Sequence, residues 1–279
     1  MILHTMTIEE LAKEIRADYK EVHARWTKYE SKYHRNLLKN NRYPYIWETQ
    51  LKTKRHNTWF INHFAESKKD ASIKFPQIFC PFQYTDGTWV AYMIEGSNTL
   101  LLFTAHFIDR YKERFFELDL KSNPYSSKDI ISIFFFRNKI GVMRREIEDM
   151  LRGYCEDGMC FGEWISDSVA LVKTFISRKE MKMNQFVEYY EAIQYRLVAD
   201  MVLARKGNFL ATVADVDYIP DIYFNPEEWN SFLFTRGSRL WMDLVIECEA
   251  RKRNNLEEYN KIAAMLETIS DNRIPPDFQ

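Results

Sequence analysis

Apolar residues recur every three or four positions at the start of the chain, which is the spacing of one helix face. Thr7 and Glu10 form a capping-box pattern before this row, and Met6 with Leu11 is placed as a hydrophobic staple. The pattern predicts an amphipathic helix of about thirty residues, which ends at Tyr43-Pro44. The apolar row consists of Ile8, Leu11, Ile15, Tyr19, Val22, Trp26, Tyr29, Tyr33 and Leu37.

The apolar period changes to two between residues 45 and 104, which indicates β-strands. Asp86-Gly87 and Gly96-Ser97-Asn98 are typical hairpin turns between such strands. Pro76 and Pro81 predict that one of the strands is an edge or bulged strand. The segment therefore reads as an antiparallel meander with strands at 45–52, 59–64, 75–84, 88–95 and 99–104.

Helical patterns dominate the rest of the chain. Thr104 is placed to cap a short helix, and Ser127 is placed to cap a helix from 128 to about 152 that Gly153 ends. A hairpin across Asp167-Ser168 follows, with strands at 161–166 and 169–177. Further helices are predicted at about 182–206, from Asn225, and at about 238–270.

Together these elements predict an α+β fold. A meander sheet packs against the long N-terminal helix and is followed by a mostly helical C-terminal region. We expect an α+β core domain at 1–180, and a helical cap or small subdomain at 181–279.

Charge and hydropathy limit the classes of function. The net charge is −1, which gives no global field for nucleic acid, although residues 19–55 hold ten basic residues against three acids. No apolar run approaches the roughly 18 residues of a membrane span, and the N-terminus lacks a secretory pattern. The sequence predicts a cytoplasmic protein that does not enter the membrane.

Cysteines and acidic clusters give little support to a metal site. Cys155 and Cys160 are spaced unlike a zinc knuckle and favour a reduced loop, while Cys80 and Cys248 suit buried positions. The acidic residues of 215–221 are an alternative cation site, yet they lack the spacing of a calcium loop. No nucleotide-binding glycine loop or serine nucleophile elbow occurs. We predict no metal and no cofactor.

The helix after Thr104 has an unusual polar face. At about 100° per residue, His106, Arg110 and Glu113 fall in one narrow sector, flanked by Asp109 and Arg114. In a first helical turn, free N–H groups favour an anion and a neutral imidazole. A histidine followed by two arginines suits a phosphate, whereas the alternative is an ordinary solvated helix face.

The segments His106-x3-Arg110-x3-Arg114, the following helix and the hairpin that ends Val172-Lys173-Thr174-Phe175 resemble bacterial ribonuclease toxins. The resemblance is to the RelE/ParE-like and barnase/colicin-like group and covers about residues 99–178. Those domains are short and strongly basic, whereas this chain is long and nearly neutral.

This resemblance implies metal-free RNA cleavage, in which a 2′-hydroxyl attacks the adjacent phosphate. His106 is then the general acid or base, and Arg110 and Arg114 hold the phosphate. Lys173 or Thr174 supplies a further donor, but strand alternation lets only one of the two join the site. Glu113 is grouped with the substrate-binding residues.

Two classes of function therefore stand at this point. One is a ribonuclease or an RNA- or phosphate-binding protein centred on His106. The other is a non-enzymatic interaction protein, whose long N-terminal helix and acidic C-terminal helices bind a protein partner or a second copy of the chain. The surroundings of His106 separate them. A concave pocket that opens onto His106 and both arginines favours an enzyme or a phosphate-binding protein, whereas a flat, solvated helix with each arginine paired to a carboxylate favours an interaction protein.

Overall fold

The structure is a computed structural model that describes residues 1–65, 76–94, 97–116, 126–145, 148–205, 239–257 and 260. It confirms the α+β class. The chain forms two compact units, Met1–Ile176 and Ser177–Gln279. In its described residues, the first unit contains a sheet and three helices.

Helix α1 (Ile8–Lys39) begins at the predicted capping box. The backbone N–H of Glu10 donates to Thr7 Oγ1 at 3.2 Å, and the backbone N–H of Thr7 donates to Glu10 Oε2 at 2.8 Å. The helix ends earlier than predicted, at an Asn40 cap. The prediction that Tyr29 belongs to the apolar row was wrong. Its side chain lies at the margin of the buried sector and is 52% exposed.

The predicted meander is confirmed as five consecutive strands, each antiparallel to its neighbour. Alternating side chains of these strands face opposite sides of the sheet. The strands are β1 (Tyr45–Lys52), β2 (Thr58–Ala65), β3 (Gln77–Tyr84), β4 (Gly87–Met93) and β5 (Leu100–Phe103).

Strand β3 lies between β2 and β4 and pairs with both without a register shift, so the prediction of an edge or bulged strand was wrong. The ladder between β2 and β3 is short, because it joins only 60–62 to 77–79. Pro81 lies beyond that ladder and opposite Val90 of β4. A proline is tolerated at this position because β2 no longer pairs with the strand there.

The predicted helix at 128–152 was wrong beyond its first half. Helix α3 (Ser127–Arg137) follows α2 (Ala105–Phe116) and ends at Asn138, whose Nδ2 also donates to Phe134 O at 3.0 Å. Ser126, not Ser127, is its cap. The chain then enters the strands β6 (Gly141–Arg145), β7 (Glu148–Cys155), β8 (Gly158–Ser166) and β9 (Val169–Ser177).

Pairing between distant residues explains these strands. β7 pairs antiparallel with β6 and with β8, and Gly153 lies opposite Cys160 inside the sheet instead of ending a helix. The predicted hairpin of β8 and β9 across Asp167-Ser168 is present. Tertiary pairing therefore overrides the helical pattern of this segment.

The nine strands form one sheet in the order β1-β2-β3-β4-β5-β9-β8-β7-β6. β5 and β9 pair in parallel, with Leu100 beside Val169 and Phe103 beside Val172. One apolar cluster joins α1 to one face of the sheet, and a second joins α2 and α3 to the other face. The centre of the sheet is thus covered on both sides.

Polar contacts fix α1 across the sheet. Arg16 Nη2 donates to Ser168 O at 2.9 Å and to Asn98 O at 3.3 Å, which ties α1 to both the β8–β9 and the β4–β5 turns. The carboxylate of Asp18 is buried and accepts from Trp59 Nε1 at 2.6 Å and from Asn57 Nδ2 at 3.0 Å. These contacts set the position of the helix independently of its apolar row.

In the second unit, a short 3-10 helix (Arg178–Glu180) precedes α4 (Met183–Arg205) and α5 (Arg239–Asn254). The guanidinium of Arg251 lies 4.1 Å from the ring of Phe186 and donates to the carbonyl oxygens of Met181 and Arg178. The helix predicted at 182–206 is confirmed. The start predicted at Asn225 and the extension of the last helix to 270 lie outside the described residues.

We expect the first unit to lose stability in alkali through Tyr33, which is 3% exposed between α1 and the sheet. Burial raises the pKa of this hydroxyl above its ordinary value of 10.0, and the nearby Tyr45 adds to the effect. The unfolded chain therefore ionises Tyr33 first as the pH rises. Below pH 10 the contribution of the buried, neutral Tyr33 to the free energy of unfolding is complete. Above pH 10 the free energy of unfolding falls by about 1.4 kcal/mol per pH unit.

Urea unfolding across this pH range tests the expectation. Tyr33→Phe should flatten the alkaline decline by that amount. The matched control is Tyr29→Phe, which removes the hydroxyl of a 52% exposed side chain of the same helix and should leave the decline as it is in the parent chain. Equal slopes for the parent and Tyr33→Phe would contradict the assignment.

Candidate functional site

Helix α2 begins where β5 ends, directly beside β9. The Thr104 hydroxyl accepts from the backbone N–H of Phe107 at 3.3 Å, which confirms it as the cap. The backbone N–H of Thr104 donates to Val172 O of β9 at 3.1 Å. Phe107 and Tyr111 are fully buried against the sheet and α3, so the opposite side of α2 faces solvent.

Three of the predicted site residues form a row along that outer side. Arg110 Nε donates to His106 Nε2 at 3.4 Å, and Arg110 Nη1 lies 2.7 Å from Glu113 Oε2. His106 is exposed, and the side chains of Arg110 and Glu113 are 39% and 32% exposed. The carboxylate thus holds the guanidinium beside the imidazole, with part of each group in contact with water.

Arg114 does not join this row. Its Nη1 donates to the carbonyl oxygen of Phe175 on β9, and its side chain is half-buried. Through this hydrogen bond, the charged side chain of Arg114 fixes the C-terminal end of α2 to the sheet. Its guanidinium is therefore directed toward β9, whereas that of Arg110 is directed toward the helix's own outer face.

The structure separates Lys173 from the His106 row. Lys173 Nζ pairs with Glu163 Oε2 of β8 at 2.7 Å. Lys173 follows Leu171 by two positions, and Leu171 packs in the cluster of α1 on the opposite face of the sheet from α2. Thr174 lies between the two β9 residues whose carbonyl oxygens contact α2, Val172 and Phe175, and its side chain is half-buried.

A buried carboxylate in the β7–β8 turn was missed by the sequence analysis. Asp157, with a side chain only 5% exposed, accepts from Tyr111 Oη at 2.8 Å and Asn138 Nδ2 at 2.8 Å. Arg137 donates to it from Nη2 at 2.8 Å and from Nε at 3.0 Å. We call these four residues the Asp157 cluster.

The Asp157 cluster ties together α2, the end of α3 and the β7–β8 turn. Burial raises the pKa of Tyr111 well above its ordinary value, and the charge of Asp157 raises it further. Every residue of the cluster donates a hydrogen bond to another member or accepts one from it, which is typical of a buried polar cluster with a structural role. The Asp157-Gly158 pair is a typical hairpin signal. It was not recognised as a turn because the helix predicted at 128–152 left no room for a strand before it.

The structure corrects the prediction of a loop at Cys155 and Cys160. They lie in the neighbouring strands β7 and β8, and all four cysteines are buried and free of disulfides. Burial raises the pKa of the Cys155 thiol, which keeps it protonated. The described residues contain no group of three or more potential metal ligands. The acidic residues of 215–221 lie outside them.

In the parts of the chain that the structure describes, every helix is too short or too polar to cross a membrane. Comparisons of this chain with protein-family models, with curated proteins and with solved structures found no match.

Proposed function

We propose that the protein acts on RNA at the outer face of α2, with Arg110 contacting a phosphate and His106 exchanging a proton. The observation that supports this is the His106–Arg110–Glu113 row, in which an oriented guanidinium and an exposed imidazole lie side by side. These two contacts engage one N–H of Arg110 each. A guanidinium has five N–H donors, so three of them are left for the oxygens of a phosphate.

In the proposed reaction His106 Nε2 accepts the proton of a ribose 2′-hydroxyl. The 2′-oxygen then bonds to the adjacent phosphorus, and the bond from phosphorus to the 5′-oxygen of the next nucleotide breaks. The leaving oxygen takes a proton from water. Arg110 stabilises the negative charge that develops on the phosphoryl oxygens, and Glu113 keeps Arg110 in place. The 3.4 Å contact from Arg110 is long, so Nε2 can exchange it for the hydroxyl.

Cleavage of a mixed RNA pool by purified protein in EDTA tests this proposal. We expect cleavage by the parent chain and a loss of about 100-fold or more in His106→Ala, because a general base contributes that much. His4→Ala, which removes another exposed histidine, is the matched control and should cleave at the parent rate. RNA left intact by the parent chain overturns the proposal, as does full activity in His106→Ala.

A second candidate is a non-enzymatic interaction protein. The observation that favours it is that both arginines have partners within the chain, Arg110 in Glu113 and Arg114 in the Phe175 carbonyl. On this hypothesis the outer face of α2 is solvated, and α1 binds a protein partner or a second copy. Sedimentation over a range of concentrations supports self-association if the mass rises, and excludes it if the mass stays that of one chain.

A further inference from the structure

We infer that the outer side of the C-terminal half of α1 is a second, separate surface that binds the phosphates of single-stranded nucleic acid. Four exposed cations, the basic row, lie there at spacings of four, three and four residues. At about 100° per residue they fall within a sector of about 60°. The basic row consists of Lys28, Lys32, Arg35 and Lys39.

The local charge of this surface differs sharply from that of the whole chain. Residues 24–47 contain six basic residues and one acid, Glu30, whereas the chain has a net charge of −1. Within the described part of the chain, Lys28, Lys32 and Lys39 have no carboxylate partner. The nearest acid on the same side, Glu21, already accepts from the backbone N–H of Lys54 at 3.1 Å.

Helical spacing places like charges of the row close together. Lys28 and Lys32 are four positions apart on the helix, a spacing at which like charges repel. A polyanion along the row removes this repulsion. The row extends over about 16 Å, at roughly 1.5 Å per residue, which is long enough to contact several consecutive phosphates.

The helix presents these charges on a rigid support. The side of α1 opposite the basic row is buried in the sheet through Trp26, Tyr33 and Leu37. Tyr29 lies next to the row and is 52% exposed. An exposed aromatic ring beside a basic groove or row is a stacking platform for unpaired bases, which favours a single strand over a duplex.

This surface is distinct from the His106 row. α1 covers one face of the sheet and α2 covers the other, so a strand bound along α1 does not occupy the outer face of α2. The inference does not depend on cleavage, since a protein without catalysis would bind in the same way. It goes beyond the proposed function by assigning binding of nucleic acid to α1.

Fluorescence anisotropy with labelled single-stranded RNA and DNA of mixed sequence tests the inference. The test variant is Lys28→Gln, Lys32→Gln and Lys39→Gln combined. The control variant loses the same charge at three exposed lysines outside the row, as Lys13→Gln, Lys20→Gln and Lys182→Gln. Circular dichroism and thermal unfolding check that both variants fold like the parent chain.

We expect the test variant to bind at least about tenfold more weakly than the control variant. The slope of log affinity against log salt should fall by about 2 relative to the parent, which is three phosphate contacts at roughly 0.7 each. Single-stranded RNA and DNA should bind equally, because phosphates and base faces are common to both. Equal affinities and slopes for the two variants overturn the inference, and so does a preference for duplex or the absence of binding by the parent chain.

The outcome is separable from that of the proposed function. His106→Ala should bind both single strands like the parent chain, although the proposed function predicts that it does not cleave. Loss of binding in His106→Ala with unchanged binding in the α1 variant assigns the nucleic acid to α2 and overturns the inference about α1. Binding that depends on α1 alone, without any cleavage, supports the inference and overturns the proposed catalysis.

Discussion

Replacing Asp157 with alanine should lower the free energy of unfolding of the first unit by about 3 kcal/mol or more. Three side chains donate to this carboxylate, and two of them, Tyr111 and Asn138, are themselves buried. The variant removes this acceptor from the Tyr111 hydroxyl in an apolar setting, and it removes one of the two acceptors of the Asn138 amide. Arg137 loses less, because its side chain is 46% exposed and can be hydrated.

Urea unfolding followed by tryptophan fluorescence measures this effect. Asp109→Ala, an exposed acid on α2, is the control and should change stability by less than about 0.5 kcal/mol. Asp157→Asn should lie between the parent and Asp157→Ala, because the amide keeps one oxygen acceptor but loses the charge. A value for Asp157→Ala as small as that of Asp109→Ala would show that the cluster does not hold α2 and α3 to the β7–β8 turn.

The second large effect is expected at Gly162 of β8. A Cβ at this position would lie 1.7 Å from the carbonyl oxygen of Leu171 on β9, and it would also meet the following backbone atoms. The added Cβ is fixed to the backbone of β8, and the atoms that it meets belong to the backbone of β9. No flexible side chain can therefore move aside to relieve the clash. We expect Gly162→Ala to separate the strands locally and to destabilise the first unit by about 3 kcal/mol or more, or to prevent folding.

Gly153→Ala in β7 is the matched control. Its added Cβ would lie 3.3 Å from the Cβ of Cys160, a side-chain contact that a small shift relieves. Thermal unfolding should therefore separate the two variants widely, with only a modest change for Gly153→Ala. If Gly162→Ala yields no folded protein, the yield of folded Gly153→Ala provides the comparison. Similar melting temperatures for the two variants would contradict the close approach of β8 and β9.

Short-range signals in the sequence predicted the structure most accurately. Thr7 and Glu10 exchange hydrogen bonds at the start of α1, and the turn predicted at Asp86-Gly87 lies one residue earlier, at Thr85-Asp86 between β3 and β4. Thr104 likewise caps α2 and places His106, Arg110 and Glu113 on one side, as predicted. Each of these signals lies within one helical turn or one hairpin of the structure that it determines.

The errors arose where the decisive partner is far away in the sequence. The apolar run at 130–136 suits a buried helix, and no local stop signal was recognised until Gly153. The actual stop, Asn138, donates to Phe134 O in the helix and also to Asp157, which lies in the turn between β7 and β8. The same limit applies to the candidate site, because the contact of Arg114 with Phe175 follows from where β9 lies and cannot be read from helix periodicity.

The parallel pairing of β5 with β9 has a consequence for the order of assembly. The sheet consists of two antiparallel halves, β1–β5 and β6–β9, and neighbouring strands within each half are close in sequence. β5 ends at Phe103, whereas β9 begins only at Val169, so their junction must close a long loop. Contacts of such high sequence separation slow folding. The first half can therefore form while the ribosome is still adding residues of the second, and closure of the β5–β9 seam sets the rate at which the whole sheet becomes continuous.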